Sequence, residues 1–293
     1  MTNSTKAPPK NRYHNAPRAE DFTIDQDWGS YTAAEHDRWD RLFRRQREVT
    51  RGRACQAALD AMTALELSAS GIPDMAQLSD RLEPLTGWRI VAVAELVPDD
   101  VFFNHLANRR FPAGAFIRPE AEFDYLQEPD IFHDIFGHVP LLANPVFADF
   151  MEAYGKGGQR AMDLGQLHNL ARLYWYTVEF GLIREAGDLR IYGAGILSSP
   201  NETVFSLEGE SPNRVAFDLQ RIMRTKYIID DFQQTYFVID SFDALLEACY
   251  KDFGDVYADI KGKTDFEAHE IAPGDDVISR GTLAYFKKRN VGR

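Results

Sequence analysis

The chain of 293 residues reads as an α+β fold, predominantly helical, with a few short strands in a single domain. Three observations predict this. Apolar residues recur at helical spacing over long stretches, as Trp39, Leu42 and Phe43 do. The β-like runs are short and irregularly placed, so a doubly wound α/β sheet is not expected. No internal repeat, low-complexity tract or linker divides the chain.

Residues 1 to 20 are polar, contain Pro8, Pro9 and Pro17, and are expected to form a flexible N-terminal arm; the domain then runs from 21 to 293. Thr32-Ala33-Ala34-Glu35 is a capping box that opens the first long helix. Arg41, Arg44, Arg45, Arg47, Arg51 and Arg53 make its neighbourhood basic, which reads as a solvated face with acidic neighbours. Helices are expected over 54–67 and 75–82, with a turn at Gly71-Ile72-Pro73-Asp74. A strand is expected over 88–95, a helix over 101–107 capped by Pro98-Asp99-Asp100, and a strand-like piece at 115–118. A helix over 147–153 ends near Gly155, and Gly157-Gly158 reads as a loop. A further helix runs from about 167 to 186 and stops at Gly187-Asp188. Strands are expected at 189–192 and 236–239, helices at 217–223 and 242–250.

The net charge of −12 argues against a general nucleic-acid or anionic-membrane binder, which needs a basic face. Hydrophobic content of 44% suits a sizeable core, yet no apolar run approaches the roughly 20 residues that span a bilayer. Cys55 and Cys249 give no disulfide framework, and the first ten residues have no apolar core of the secretory kind. A cytoplasmic location is the expectation.

The chemistry concentrates in two segments. Glu128-Pro129-Asp130-Ile131-Phe132-His133-Asp134-Ile135-Phe136-Gly137-His138-Val139-Pro140 places two histidines five residues apart among apolar neighbours. In a regular helix that spacing turns the second His about 140° from the first. One shared metal therefore needs His133 at a helix entrance or a distortion near Gly137. Asp130 is a candidate N-cap and Pro140 a candidate stop. Glu179 lies inside the apolar segment 170–181, where an ionised carboxylate is costly unless paired or bound to metal. Two His and one carboxylate form the facial triad of non-haem Fe(II) oxygenases. The competing reading pairs Glu179 with Arg172 or Arg184 and leaves two core histidines. Both stay open on spacing alone. Gly193-Ala194-Gly195 lacks the third glycine of a dinucleotide motif.

Three stretches, EPDIFHDIFGHVPLL, LARLYWYTVEFGL and IYGAGILSS, occur here in one order, and with them residues 85 to 245 resemble the pterin-dependent aromatic amino acid hydroxylases. The similarity is greatest to short bacterial members. It implies a cytoplasmic monooxygenase that uses Fe(II), a tetrahydropterin and O2 to convert L-phenylalanine to L-tyrosine, the opening step of phenylalanine catabolism.

By the same resemblance His133, His138 and Glu179 match the iron ligands, and Tyr174 a tyrosine near the iron. Arg118 matches the residue that grips the substrate carboxylate; a planar guanidinium suits that bidentate contact. Read from sequence alone, Arg118 is a surface or salt-bridge arginine. Trp175 and Phe180 match residues around the substrate ring, and Ser198 a serine near the substrate carboxylate and a ligating His. Phe102 matches the phenylalanine that stacks on the pterin, and Val97 a pterin-lining position usually held by Leu. Asp134 stands where animal members carry a pterin-contacting Glu, and Leu126 where some carry a Thr. Each of these aromatics otherwise reads as core. The resemblance also implies a monomer without the regulatory domain and tetramerisation helix of animal members.

Two rivals are weighed beside this. The substrate of the same chemistry could be tryptophan or tyrosine. Alternatively the triad could hold Zn²⁺ for hydrolysis, although the histidine spacing and the lack of Glu directly after His133 disfavour it.

Overall fold

Helix α1 (Ala33–Val49) begins at its capping box in the computed structural model of the chain, which describes residues 11–124, 128–250 and 253–290. Thr32 Oγ1 accepts from Glu35 N–H and the Glu35 carboxylate accepts from Thr32 N–H, so two helix-end donors are satisfied reciprocally. Trp39, Leu42 and Phe43 are buried as their spacing predicts. Five of the six arginines pair with acids, Arg41 with Asp37 and Glu120, Arg44 with Asp40, Arg45 with Asp124, Arg51 with Glu48 and Arg53 with Glu208, while Arg47 reaches Met62 Sδ. These exposed pairs stabilise little individually.

Helices α2 (Gln56–Ala64) and α3 (Met75–Thr86) follow, then strand β1 (Arg89–Val93), helix α4 (Asp99–Ala107) and strand β2 (Arg110–Gly114). β1 and β2 pair in parallel, with Arg89 opposite Arg110 and Val93 opposite Gly114. The strand-like piece expected at 115–118 is therefore displaced. After Ala115 the backbone leaves the ladder: Phe116 C=O accepts from Ile131 N–H at 2.8 Å, and Arg118 N–H donates to Asp130 Oδ2 at 2.8 Å. Its polar groups are spent on the histidine segment instead of a neighbouring strand.

Helix α5 (Pro145–Asp163) starts at an Asn144 cap and runs unbroken through Gly155, Gly157 and Gly158, where a stop and a loop were expected. Gly155 and Gly158 are there for packing against α4, whereas Gly157 faces open space. A Cβ on Gly155 would lie 2.3 Å from Ala107 N, and one on Gly158 1.9 Å from the Phe103 ring. Gly155→Ala should therefore push α4 and α5 apart and cost about 1–3 kcal/mol, read as a lower midpoint in urea with unchanged slope.

Helix α6 (Leu167–Tyr174) widens into a π-turn over Trp175–Glu179 and ends there, not at 186. The chain then forms a hairpin of β3 (Leu182–Glu185) and β4 (Asp188–Ile191). Its two-residue turn places Ala186 at φ 52° and Gly187 at φ 90°, the primed geometry that matches strand twist. Helices α7 (Ala194–Leu197) and α8 (Pro200–Glu208), strand β5 (Asn213–Ala216), helix α9 (Leu219–Met223), strand β6 (Thr235–Ile239), helices α10 (Phe242–Cys249) and α11 (Phe253–Ile260), strand β7 (Val277–Ser279) and helix α12 (Ala284–Asn290) complete the order. A mixed five-stranded sheet runs β4-β3-β6-β5-β7 beside the helices, so the α+β class holds. Of the expected arm, residues 1–10 lie outside the described residues. Tyr13 is buried and donates its hydroxyl to Gln26 C=O, so residues near it pack on the domain.

Candidate metal centre

The histidine segment solves its spacing problem by changing helix type. Asp130 accepts His133 N–H on its carboxylate at 3.0 Å and caps the turn, as expected. The chain from His133 to His138 is then a π-helix, whose i→i+5 bonding sets residues five apart roughly one above the other. Pro140 does not end the segment but sits in the 3₁₀ turn Val139–Ala143 that follows. Glu179 closes the second π-turn, so both wide turns deliver donors to one point.

His138 Nε2 lies 3.1 Å from His133 Nε2 and 3.1 Å from Glu179 Oε1, and His133 Nε2 lies 3.7 Å from Glu179 Oε2. Three donors about 2.1 Å from one cation, at right angles, stand about 3 Å apart. The triangle fits one metal with a face left open. The alternative partners of Glu179 are engaged elsewhere, Arg172 with Asp265 and Arg184 with Asp240. Among the described residues His133, Asp134 and His138 also bring donor atoms within 4.8 Å of one another. Asp134 is the poorer ligand of the two acids, because its Oδ2 already accepts Gly114 N–H at 2.7 Å and burial pushes its carboxyl up to about 7.

Glycines let this assembly close. A Cβ on Gly137 would sit 2.8 Å from Ala194 C=O, and one on Gly193 2.4 Å from Glu179 C=O. The run 193–195 thus serves close backbone approach rather than a phosphate. Burial alone pushes the Glu179 carboxyl up; the charge and hydrogen bond of His138, then His133 and the Gly195 N–H, outweigh it and hold it below the ordinary carboxylate range. Burial pushes His133 down to about 4, so its imidazole is neutral near pH 7, the form that ligates. Burial opposes charge on His138 too, but Glu179 holds that imidazole above its ordinary value.

Ser198 Oγ lies 2.9 Å from His133 Nδ1 and donates to Ala194 C=O at 2.9 Å. The hydroxyl proton is thus committed, and Oγ accepts from His133 Nδ1–H. That fixes the tautomer with the Nε2 lone pair facing Glu179 and His138. Ser198→Ala should lower iron affinity about 10–100-fold, measurable by chelator competition.

Arg118 is not a surface group. It is 5% exposed, and Nε and Nη2 grip Asp130 at 2.9 and 2.8 Å. Asp130, read from sequence only as a cap, is therefore also the partner that orients this guanidinium; a carboxylate three residues before His133 was the available signal. Around the open side stand half-buried rings. Tyr174 lies 6.2 Å from the His138 ring and 5.8 Å, edge-on, from Phe102. Trp175 and Phe180 lie 4.9 Å apart, and Tyr227 stacks on Trp175 at 4.4 Å. Tyr227 had no signal in sequence. Val97 is half-buried in the loop from β1 to α4, just ahead of the Phe102 helix. Leu126 lies outside the described residues. The arrangement offers a cation with vacant positions, a buried cation for a carboxylate and aromatic walls for flat rings.

A family model described as biopterin-dependent aromatic amino acid hydroxylase matches residues 12–258. The phenylalanine-4-hydroxylase of Caulobacter vibrioides is 61% identical over 265 residues, covering 90% of both chains. The phenylalanine-4-hydroxylase of Chromobacterium violaceum is 54% identical over 90% of this chain and 89% of its own. The crystal structure of that Chromobacterium enzyme with iron(III) and 7,8-dihydrobiopterin matches with a TM-score of 0.87, 54% identity, and 92% and 97% coverage. Its structure with iron and phenylalanine matches with a TM-score of 0.86, 53% identity, and 90% and 96% coverage.

Proposed function

Because the chain belongs to the biopterin-dependent aromatic amino acid hydroxylases, we propose that the open triangle of donors is where it hydroxylates L-phenylalanine to L-tyrosine. It is a pterin-dependent non-haem iron monooxygenase using O2 and a tetrahydropterin. The observation that carries the reading is two imidazoles and one carboxylate within 3.1–3.7 Å of one another, with the Tyr174 ring 6.2 Å from that of His138.

His133, His138 and Glu179 hold the iron, with one carboxylate leaving it a net positive charge. Activation of dioxygen and transfer of one oxygen atom to the ring is the chemistry that bound iron and tetrahydropterin supply. The chain's own work is positioning. Ser198 keeps the His133 ring oriented and its Nδ1 proton away from the donor face. Arg118, braced by Asp130 on two of its nitrogens, takes the substrate carboxylate on the remaining edge of its fork. Trp175 and Phe180 bound the aromatic ring, and Tyr174 fills the space between His138 and Phe102. Phe102, Val97 and Asp134 line the pterin side, where a flat heterocycle meets an aromatic face. Closing these walls keeps water from the reacting atoms.

The family excludes the zinc-hydrolase rival, and the relatives favour phenylalanine over tryptophan or tyrosine. No helix among the described residues is long and apolar enough to cross a membrane. The free cysteines Cys55 and Cys249 favour a reducing cytoplasm. A net charge of −12 favours a dispersed monomer, which light scattering would test. The direct test loads metal-free protein with Fe(II), adds a tetrahydropterin and phenylalanine in air, and measures tyrosine. Activity that persisted without oxygen or pterin would overturn the reading.

A further inference from the structure

The wall residue Trp175 is held from behind by a side chain remote in sequence. Gln233 is 1% exposed at the entrance to β6. Its Oε1 accepts the Trp175 indole N–H at 3.1 Å and Ile228 N–H at 3.3 Å. Its Nε2 donates to Ile228 C=O at 2.6 Å and Asp231 C=O at 3.4 Å. The two donors meet the oxygen and the two carbonyls meet the nitrogen, so the orientation of the amide is determined by its partners. The Gln233 backbone N–H is fixed in turn by Glu202 Oε1 at 3.1 Å, which also accepts the Tyr236 hydroxyl at 2.5 Å. The same amide ties the loop 228–233 back on itself, and Tyr227, just before that loop, stacks on the indole at 4.4 Å with planes 20° apart. The Phe180 ring lies 4.9 Å from the indole, tilted by 35°.

From this we infer that Gln233 is a positioning residue that sets the plane of Trp175 and thereby the registration of the substrate ring. The inference rests on the reading that Trp175 and Phe180 bound that ring. An indole free to rotate about its side-chain bonds presents either an edge or a face to the substrate, and these two surfaces differ in shape and in charge distribution. Gln233 removes that freedom through a buried hydrogen bond, where a missing partner is costly. It needs both halves of an amide: Glu would set an oxygen against Ile228 C=O, and Met has no polar atom for the indole.

The test compares wild type, Gln233→Met, Gln233→Glu, Trp175→Phe and the Gln233→Met/Trp175→Phe double variant, all iron-loaded. Phenylalanine KM, kcat and tyrosine formed per pterin oxidised are measured, with calorimetric phenylalanine binding as a readout independent of turnover. Gln233→Met should raise KM and weaken calorimetric binding about tenfold, and lower the tyrosine yield per pterin, with a smaller effect on pterin oxidation itself. Gln233→Glu, which keeps the acceptor for the indole, should recover part of the loss. In the Trp175→Phe background, which lacks the N–H, Gln233→Met should raise KM and weaken binding far less than it does in wild type. A Gln233→Met variant with unchanged KM, binding and coupling overturns the inference. So does an equal penalty with and without the indole N–H, which would make Gln233 a structural residue only. Wild-type tyrosine formation tests the underlying function separately, and the binding comparison stands whichever way that result falls.

Discussion

Glu179→Gln is expected to reduce tyrosine formation by about 10³-fold or more, equivalent to roughly 4 kcal/mol of barrier, while leaving the fold intact. The geometry supplies both halves of that expectation. Glu179 is the sole negative donor in the triangle, 3.1 Å from His138 Nε2 and 3.7 Å from His133 Nε2. A neutral amide of the same shape keeps an oxygen for the Gly195 N–H but removes the charge that attracts a cation. The backbone around it is fixed by other means, since Gly193 N–H donates to Gly181 C=O at 3.0 Å and Phe180 N–H to Trp175 C=O at 2.9 Å. Iron content after reconstitution, tyrosine yield and the melting temperature of metal-free protein check the prediction together. Loss of iron with an unchanged melting temperature is expected. A variant that loads iron and forms tyrosine at the wild-type rate would remove Glu179 from the ligand set.

Asp130→Ala should be the most destabilising single change near the site, at about 3–5 kcal/mol. Asp130 is fully buried, and burial alone would push its carboxyl up; the charge and hydrogen bonds of Arg118 and the His133 N–H reverse this and hold it below the ordinary range. Removing it leaves Arg118, 5% exposed, without its counter-charge, and leaves the N–H groups of Arg118 and His133 without their acceptor. Against a total stability of about 5–15 kcal/mol this is a large fraction. Urea denaturation measures it. Arg118→Met/Asp130→Leu separates stability from substrate binding. Replacing both charges by apolar groups should recover the part of the stability lost to the unpaired guanidinium, though not the part from the two N–H groups left without an acceptor, yet phenylalanine binding should remain lost because the guanidinium is gone. Recovery of both would contradict the role given to Arg118.

The sheet illustrates what local sequence cannot carry. Strand β5 carries no local signal and 115–118 reads as a strand that does not form, because pairing depends on which distant segment offers a free edge. The run 236–239 is apolar throughout and reads as a strand, since β6 is buried between two neighbours. Gly155 and Gly158 looked like helix punctuation for a related reason. A glycine that breaks a helix and one that admits a crossing helix are the same letter, and only the position of α4 distinguishes them.

The sequence by itself determined the donor types, the capped first helix, the paired arginine face and, through three ordered motifs, the family. These are properties of residue identity and short spacing. Tertiary structure alone decided that the five-residue histidine spacing is a π-turn, that Arg118 is braced by Asp130, and that Gln233 stands behind Trp175. Each of these is a contact whose free energy depends on groups brought together by folding. A π-turn is poor local geometry, and it persists here because glycine-lined packing against α7 and a second such turn hold it in place.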